Sequence, residues 1–161
     1  MYNHAPENYK CPICLAVEGI ESKDTMMKQN DIFYRDELVM AAINSKFIGN
    51  NPGHVIVVPL KHYENLYELP ETEANQIMKV ARGVAVAMKV VRKWEGVMIQ
   101  QNNEPASGQH AFHYHMHIFP RFNNDFLHEN MSKVTVALPE ERKPFSSEMK
   151  QYFSKRKNLL M

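Results

Sequence analysis

Cysteine is scarce in this chain. Its 161 residues include two, Cys11 and Cys14, too few and too close together for a disulfide framework. Charge of one sign is equally lacking. Nineteen Lys and Arg face 18 Asp and Glu, for a net +1, so nothing draws the chain as a whole to nucleic acid or to an acidic membrane. No apolar run reaches the length of a membrane span, and residues 1–10 are polar, with no signal-peptide core. A cytoplasmic location is therefore expected. There is no internal repeat and no low-complexity segment. The length suits one domain, residues 1–161, large enough to bury a core.

Histidine, by contrast, is concentrated. Four of the eight histidines fall within residues 110–117, in the run Gln109-His110-Ala111-Phe112-His113-Tyr114-His115-Met116-His117-Ile118-Phe119. On a strand, side chains alternate between faces. His113, His115 and His117 would share one face, and Tyr114, Met116 and Ile118 the other. Alternate Cα atoms lie about 6.6 Å apart, so neighbouring imidazoles can share one substrate or one ion. Imidazole changes charge near neutral pH, serves as nucleophile or acid–base, and binds metals when neutral. A surface strand that is merely histidine-rich would not concentrate half of the chain's histidines in this way.

The remaining pattern predicts an α+β protein with a mainly antiparallel sheet. Residues 1–10 read as a loose arm. Short strands are expected over 31–35 and 38–43, a loop over 44–53, and a buried β-branched strand over 54–59 that Pro59 ends. One long helix spans 70–94. Pro70 opens it, Glu71 and Glu73 suit its positive end, and Ile77, Val80, Ala81, Val84, Met88 and Val91 form its apolar face. Strands follow over 97–102 and 112–119, then a short extended piece over 134–138. A weaker helix over 146–158 turns Met149, Tyr152 and Phe153 inward, and its Lys155-Arg156-Lys157 run reads as a solvated end.

Several segments resemble the histidine triad (HIT) family. The signature is His113-Tyr114-His115-Met116-His117-Ile118-Phe119. Asn51-Pro52-Gly53-His54-Val55-Ile56-Val57-Val58-Pro59-Leu60-Lys61-His62 is similar to the family's glycine-histidine strand with its closing lysine-histidine pair. Gly108-Gln109 stands where the family has a glycine-glutamine pair, and Asn103 where it has an asparagine. Cys11-Pro12-Ile13-Cys14 resembles a bacterial branch of HIT hydrolases. The resemblance covers about residues 11–121 and leaves 122–161 as a C-terminal extension.

This resemblance implies a homodimer with a five-stranded antiparallel sheet in each subunit, one long helix and, here, a shorter C-terminal helix. It implies hydrolysis or transfer of nucleoside monophosphates by attack on the α-phosphate of dinucleoside polyphosphates or nucleoside phosphoramidates. His115 would be the nucleophile. His117 and His54 would support it, and Gln109 would contact the bridging or leaving oxygen. Asn103 and Asn44 would contact substrate. Asn44, the ribose contact, stands ten positions before His54, farther than in the family pattern. His110 stands where many relatives carry a small hydroxyl residue. It either contacts phosphate or covers the pocket mouth.

Cys11 and Cys14 have the spacing of half a zinc site, and a closed structural site takes four ligands. The family supplies His62 and His113, which gives a structural Cys₂His₂ zinc. The other reading is a redox pair, although no thioredoxin-like βαβ context surrounds the cysteines. Two further functional readings stand beside the triad. One is a metallohydrolase using His-x-His as catalytic zinc ligands. The other is a non-catalytic nucleotide-binding protein.

Overall fold

Val39–Ile43 and Val55–Pro59 are buried at every position, which only strands covered on both faces can be. They lie at the centre of the computed structural model, which describes residues 2–156. The elements run α1 (Pro12–Val17), β1 (Ile32–Arg35), β2 (Val39–Ile43), β3 (Lys46–Ile48), β4 (Val55–Pro59), α2 (Glu71–Arg92), β5 (Gly96–Gln101), β6 (Met116–Arg121), α3 (Leu127–Asn130), β7 (Val134–Val136) and α4 (Pro139–Ser154). Five strands form one sheet in the order β1-β2-β4-β6-β5, and every neighbouring pair is antiparallel. β3 and β7 form a separate two-stranded ribbon.

One face of the large sheet carries Val39, Ala41, Ile43, Val55, Val57, Met116 and Ile118. The apolar stripe of α2 and then Met149, Tyr152 and Phe153 of α4 cover it. On the other face, Met40, Ala42, Ile56 and Val58 pack under Ile13 and Ala16 of α1. Farther along that face, Phe119 packs with Ile48 and Leu127. The histidines lie between these two covered ends.

Four local expectations differ from the structure. The long helix runs Glu71–Arg92 rather than 70–94: Pro70 caps it, and Lys93 at φ 54 turns left-handed and ends it. Trp94, freed from the helix, sits in the core at 2 % exposure. The expected loop over 44–53 contains β3, whose partner β7 is some ninety residues on, beyond the reach of a local pattern. The C-terminal helix begins at Pro139 rather than 146. Proline suits its first turn, and Pro144 lies inside it without breaking it. It ends at Ser154, and the expected positions 157 and 158 lie outside the described residues.

The fourth difference concerns the histidine strand. The ladder covers only Met116–Arg121, so His117 is in it and His113 and His115 precede it. β4 pairs with β6 only from Val55 to Val57. Beyond that, Pro59 has no N–H to donate, and its carbonyl accepts from the His113 ring at 3.0 Å. The Tyr114 N–H turns instead to the Tyr63 carbonyl. The chain stays extended enough that Tyr114 still joins Met116 and Ile118 in the core.

α4 is fastened by a buried ion pair. Arg142 Nε donates to Asp31 Oδ1 at 2.9 Å, Arg142 Nη2 lies 2.8 Å from Asp31 Oδ2, and both residues are 2 % exposed. Arg142→Ala leaves the buried carboxylate with the Lys28 N–H but without a countercharge, so a loss of about 3–5 kcal/mol in urea unfolding is expected. An Arg142→Met/Asp31→Leu double variant should regain most of it, because the cost lies in the unpaired charge. A single variant as stable as the parent would show that Asp31 finds another partner.

Candidate functional site

His54 enters β4 behind Gly53. Gly53 has φ 87, and a Cβ there would meet the Phe145 ring at 2.4 Å, so only glycine fits at this approach of α4. The His54 ring is 2 % exposed and stacks on Phe119 with centroids 4.0 Å apart. Its Nε2 pairs with Nδ1 of His117 at 2.8 Å, one nitrogen donating to the other. The His117 ring meets the His115 ring edge-on at 4.7 Å. Three imidazoles thus form a continuous row.

The bond that matters most for chemistry is His115 Nδ1 to the His113 carbonyl, at 2.7 Å. A carbonyl can only accept, so Nδ1 carries the proton and Nε2 of the neutral ring carries the lone pair. Burial holds the row in its neutral form. It lowers His54 to about 3, places His117 well below the ordinary histidine range, and lowers His115 as well.

The loop ahead of the histidines is held by side chains. Gln109 is buried, with Nε2 donating to the carbonyls of Glu64 at 2.7 Å and Ala111 at 3.2 Å. Its Oε1 accepts from the Glu104 N–H at 2.6 Å. Both Nε2 hydrogens are engaged, so the expected contact with a leaving oxygen needs one of these bonds to open. Asn103 Oδ1 accepts from the Leu66 N–H at 2.7 Å, and its Nδ2 donates to Gln101. Asn103 is thereby engaged in the loop. Asn44 adjoins His54 through a backbone bond of 2.7 Å, and its Oδ1 accepts from the Lys46 N–H. His110 is exposed on the loop.

Three groups here escaped the sequence reading. Phe119 is the shelf under His54 and His117; it stands two residues after His117 on a strand, and that spacing could have found it. Glu64 and Glu104 tie the loop together, and no pattern marks them. Glu104 has φ 66 and ψ 158. That region is otherwise left to glycine and costs about 1–3 kcal/mol.

A second cluster lies behind the first. One donor atom each from Cys11, Cys14, His62 and His113 fall within 4.8 Å of one another. Cys14 Sγ lies 3.2 Å from His62 Nδ1 and 3.5 Å from His113 Nδ1, and Cys11 Sγ lies 3.4 Å from His113 Nδ1. Tetrahedral zinc with ordinary Zn–S and Zn–N bonds separates sulfur from nitrogen by about 3.6 Å. The donor set and its spacing therefore fit zinc. The His113 Nε2–H is given to the Pro59 carbonyl, which leaves Nδ1 free to ligate. Burial, with Cys11 beside it, pushes the Cys14 thiol up to about 12, a bias that a bound cation would reverse. His113 belongs to both clusters, to one through its ring and to the other through its carbonyl.

The HIT domain family model matches residues 26–124. A HIT-like protein of Saccharolobus solfataricus is 33% identical over 115 residues, 71% of this chain and 76% of its own. The bis(5'-adenosyl)-triphosphatase of Dictyostelium discoideum is 28% identical over 141 residues, 83% of this chain and 92% of its own. Among solved structures, a zinc-bound histidine triad family protein from Mycobacterium smegmatis has the same fold, with a TM-score of 0.71 at 21% identity over 92% of this chain and 96% of its own.

Proposed function

The chain belongs to the HIT family, and from that premise we propose that it hydrolyses or transfers nucleotides by attack of His115 on an α-phosphate. The observation that carries this reading is the 2.7 Å bond from His115 Nδ1 to the His113 carbonyl, which leaves a lone pair on Nε2. In the first step Nε2 forms a bond to the α-phosphorus. The bond from phosphorus to the leaving group breaks, and the leaving group takes up a proton. Water then attacks the nucleotidyl-histidine, the phosphorus–nitrogen bond breaks, and a nucleoside monophosphate departs. His117, braced by His54, faces the reacting phosphate beside His115. Gln109 and Asn103 act by fixing the loop, Asn44 contacts the substrate, and His110 either contacts phosphate or covers the pocket mouth.

The substrate class is a dinucleoside polyphosphate or a nucleoside phosphoramidate. Kinship with the Dictyostelium triphosphatase supports the first. The test is release of nucleoside monophosphate from diadenosine triphosphate, diadenosine tetraphosphate and adenosine phosphoramidate, with rapid quenching and intact mass to detect the adduct. Release from none of the three, with binding retained, would favour a non-catalytic nucleotide-binding protein.

Cys11, Cys14, His62 and His113 would hold a structural zinc. Four protein donors leave no open coordination position, so zinc would tie the N-terminal segment to the site and take no part in bond breaking. The same closure weighs against a metallohydrolase.

A homodimer completes the reading. Among the described residues β5 pairs on one side only, and Ile99 on it is 44% exposed. Met78, Val86 and Val90 of α2 are exposed as well. An open strand edge, like exposed apolar side chains, is a surface that pairing removes. Sedimentation at micromolar concentration should show twice the 18.7 kDa chain mass, and a species of 18.7 kDa alone would count against the dimer.

A further inference from the structure

The segment 104–113, which leads into the histidines, has one short 3₁₀ turn and no ladder partner among the described residues. Residues from the N-terminal arm hold it at three places directly and at a fourth through Glu64. The His4 ring meets Glu104 Oε2 at 2.9 Å. The amides of His4 and Ala5 donate to the Glu64 carboxylate, while the Glu64 carbonyl holds Gln109. The Tyr9 hydroxyl accepts from the Phe112 N–H at 3.0 Å. Cys11 Sγ lies beside the His113 ring. Residues 2–11 thus act as a mould for the catalytic loop.

Glu104 is where this mould meets the loop's own bonds. Its N–H reaches Gln109 Oε1, and its carbonyl accepts from the N–H groups of Ser107 at 3.1 Å and Gln109 at 3.2 Å. Its carboxylate accepts from the Tyr67 hydroxyl at 3.1 Å as well as meeting His4. A non-glycine residue at φ 66 stays there only when its surroundings hold it. The His4–Glu104 pair itself is partly exposed, 41% and 29%, and such pairs add little to global stability.

We propose that Glu104 is a positioning residue: its carboxylate, held by His4 and Tyr67, keeps the backbone in the one conformation that offers its N–H to Gln109 and so fixes the loop from Gln109 to the His113 carbonyl. The proposal rests on the reading of His115 as nucleophile, because the His113 carbonyl orients that ring.

Glu104→Gly separates positioning from stability. Glycine adopts this backbone freely, so the melting temperature should hold or rise, yet the carboxylate anchor is gone. The expected result is a kcat on diadenosine triphosphate lower by about tenfold, with KM within about twofold. Amide hydrogen exchange over 104–112 should quicken by about tenfold or more. Glu104→Gln, which still offers groups to Tyr67 and His4, should recover kcat to within about threefold. A His4→Ala/Tyr67→Phe double variant frees the carboxylate without changing any residue of the loop and should match Glu104→Gly. Wild-type kcat and exchange in both Glu104→Gly and the double variant would overturn the proposal, as would a loss of activity that only tracks a loss of melting temperature. A wild-type enzyme that releases no nucleotide would overturn the functional reading instead, and the exchange data would still decide whether Glu104 holds the loop.

Discussion

His115→Ala is expected to lower kcat by about four orders of magnitude or more while weakening nucleotide binding by less than about tenfold. The asymmetry follows from geometry. The ring supplies the lone pair that attacks phosphorus, and its Nδ1 bond to the His113 carbonyl fixes which nitrogen carries it. The His117 ring is tied to His54 and the His113 ring to the Pro59 carbonyl, so neither is held in that way. In wild-type protein a quenched reaction should yield a chain heavier by one nucleoside monophosphate. That adduct should be absent from the variant, lost in acid and stable in base, as a phosphorus–nitrogen bond requires. A His115→Ala chain turning over at near wild-type rate, with activity abolished by chelation, would overturn the nucleophile assignment and promote metal-bound hydroxide.

The second large effect concerns the cysteines. Purified protein should carry about one zinc per chain, and a Cys11→Ser/Cys14→Ser variant should carry none. If the metal contributes about 3 kcal/mol to the folded chain, the variant should melt roughly 6–12 °C lower, with residual turnover. Elemental analysis and calorimetry give the two readouts. The effect on turnover should be partial, because the bond to His115 comes from the His113 backbone, which the Pro59 carbonyl still holds through the ring. Stoichiometric zinc in the double variant would defeat the ligand assignment.

The elements that were legible in the sequence are those whose neighbours make a local pattern. β4 shows as a β-branched run because both of its faces are covered. α2 shows by its apolar period, and the inward trio of α4 shows although its start did not. The alternation of Tyr114, Met116 and Ile118 correctly named the core side, since an extended chain alternates its side chains with or without a ladder. The end of that ladder depended on Pro59, fifty-four residues away from His113 in sequence. β3 and β7 are three residues each and form their ladder with one another across some ninety residues of chain. At the site, the gathering of Cys11, Cys14, His62 and His113 was implied by family resemblance, and the structure brings those four together. Glu64 and Glu104 were invisible, because an acid in a polar loop has no period and its partners are distant.

The Asp31–Arg142 pair also orders events during synthesis. The two residues are separated by 111 positions. At about 5–20 residues per second, a ribosome delivers Arg142 roughly 5–20 s after Asp31. Through that interval the Asp31 carboxylate has no guanidinium to meet, and Phe33 of β1 waits for Phe153 of α4 to cover it. A nascent chain stalled before Arg142 should therefore be cut near β1 faster than the released chain in limited proteolysis.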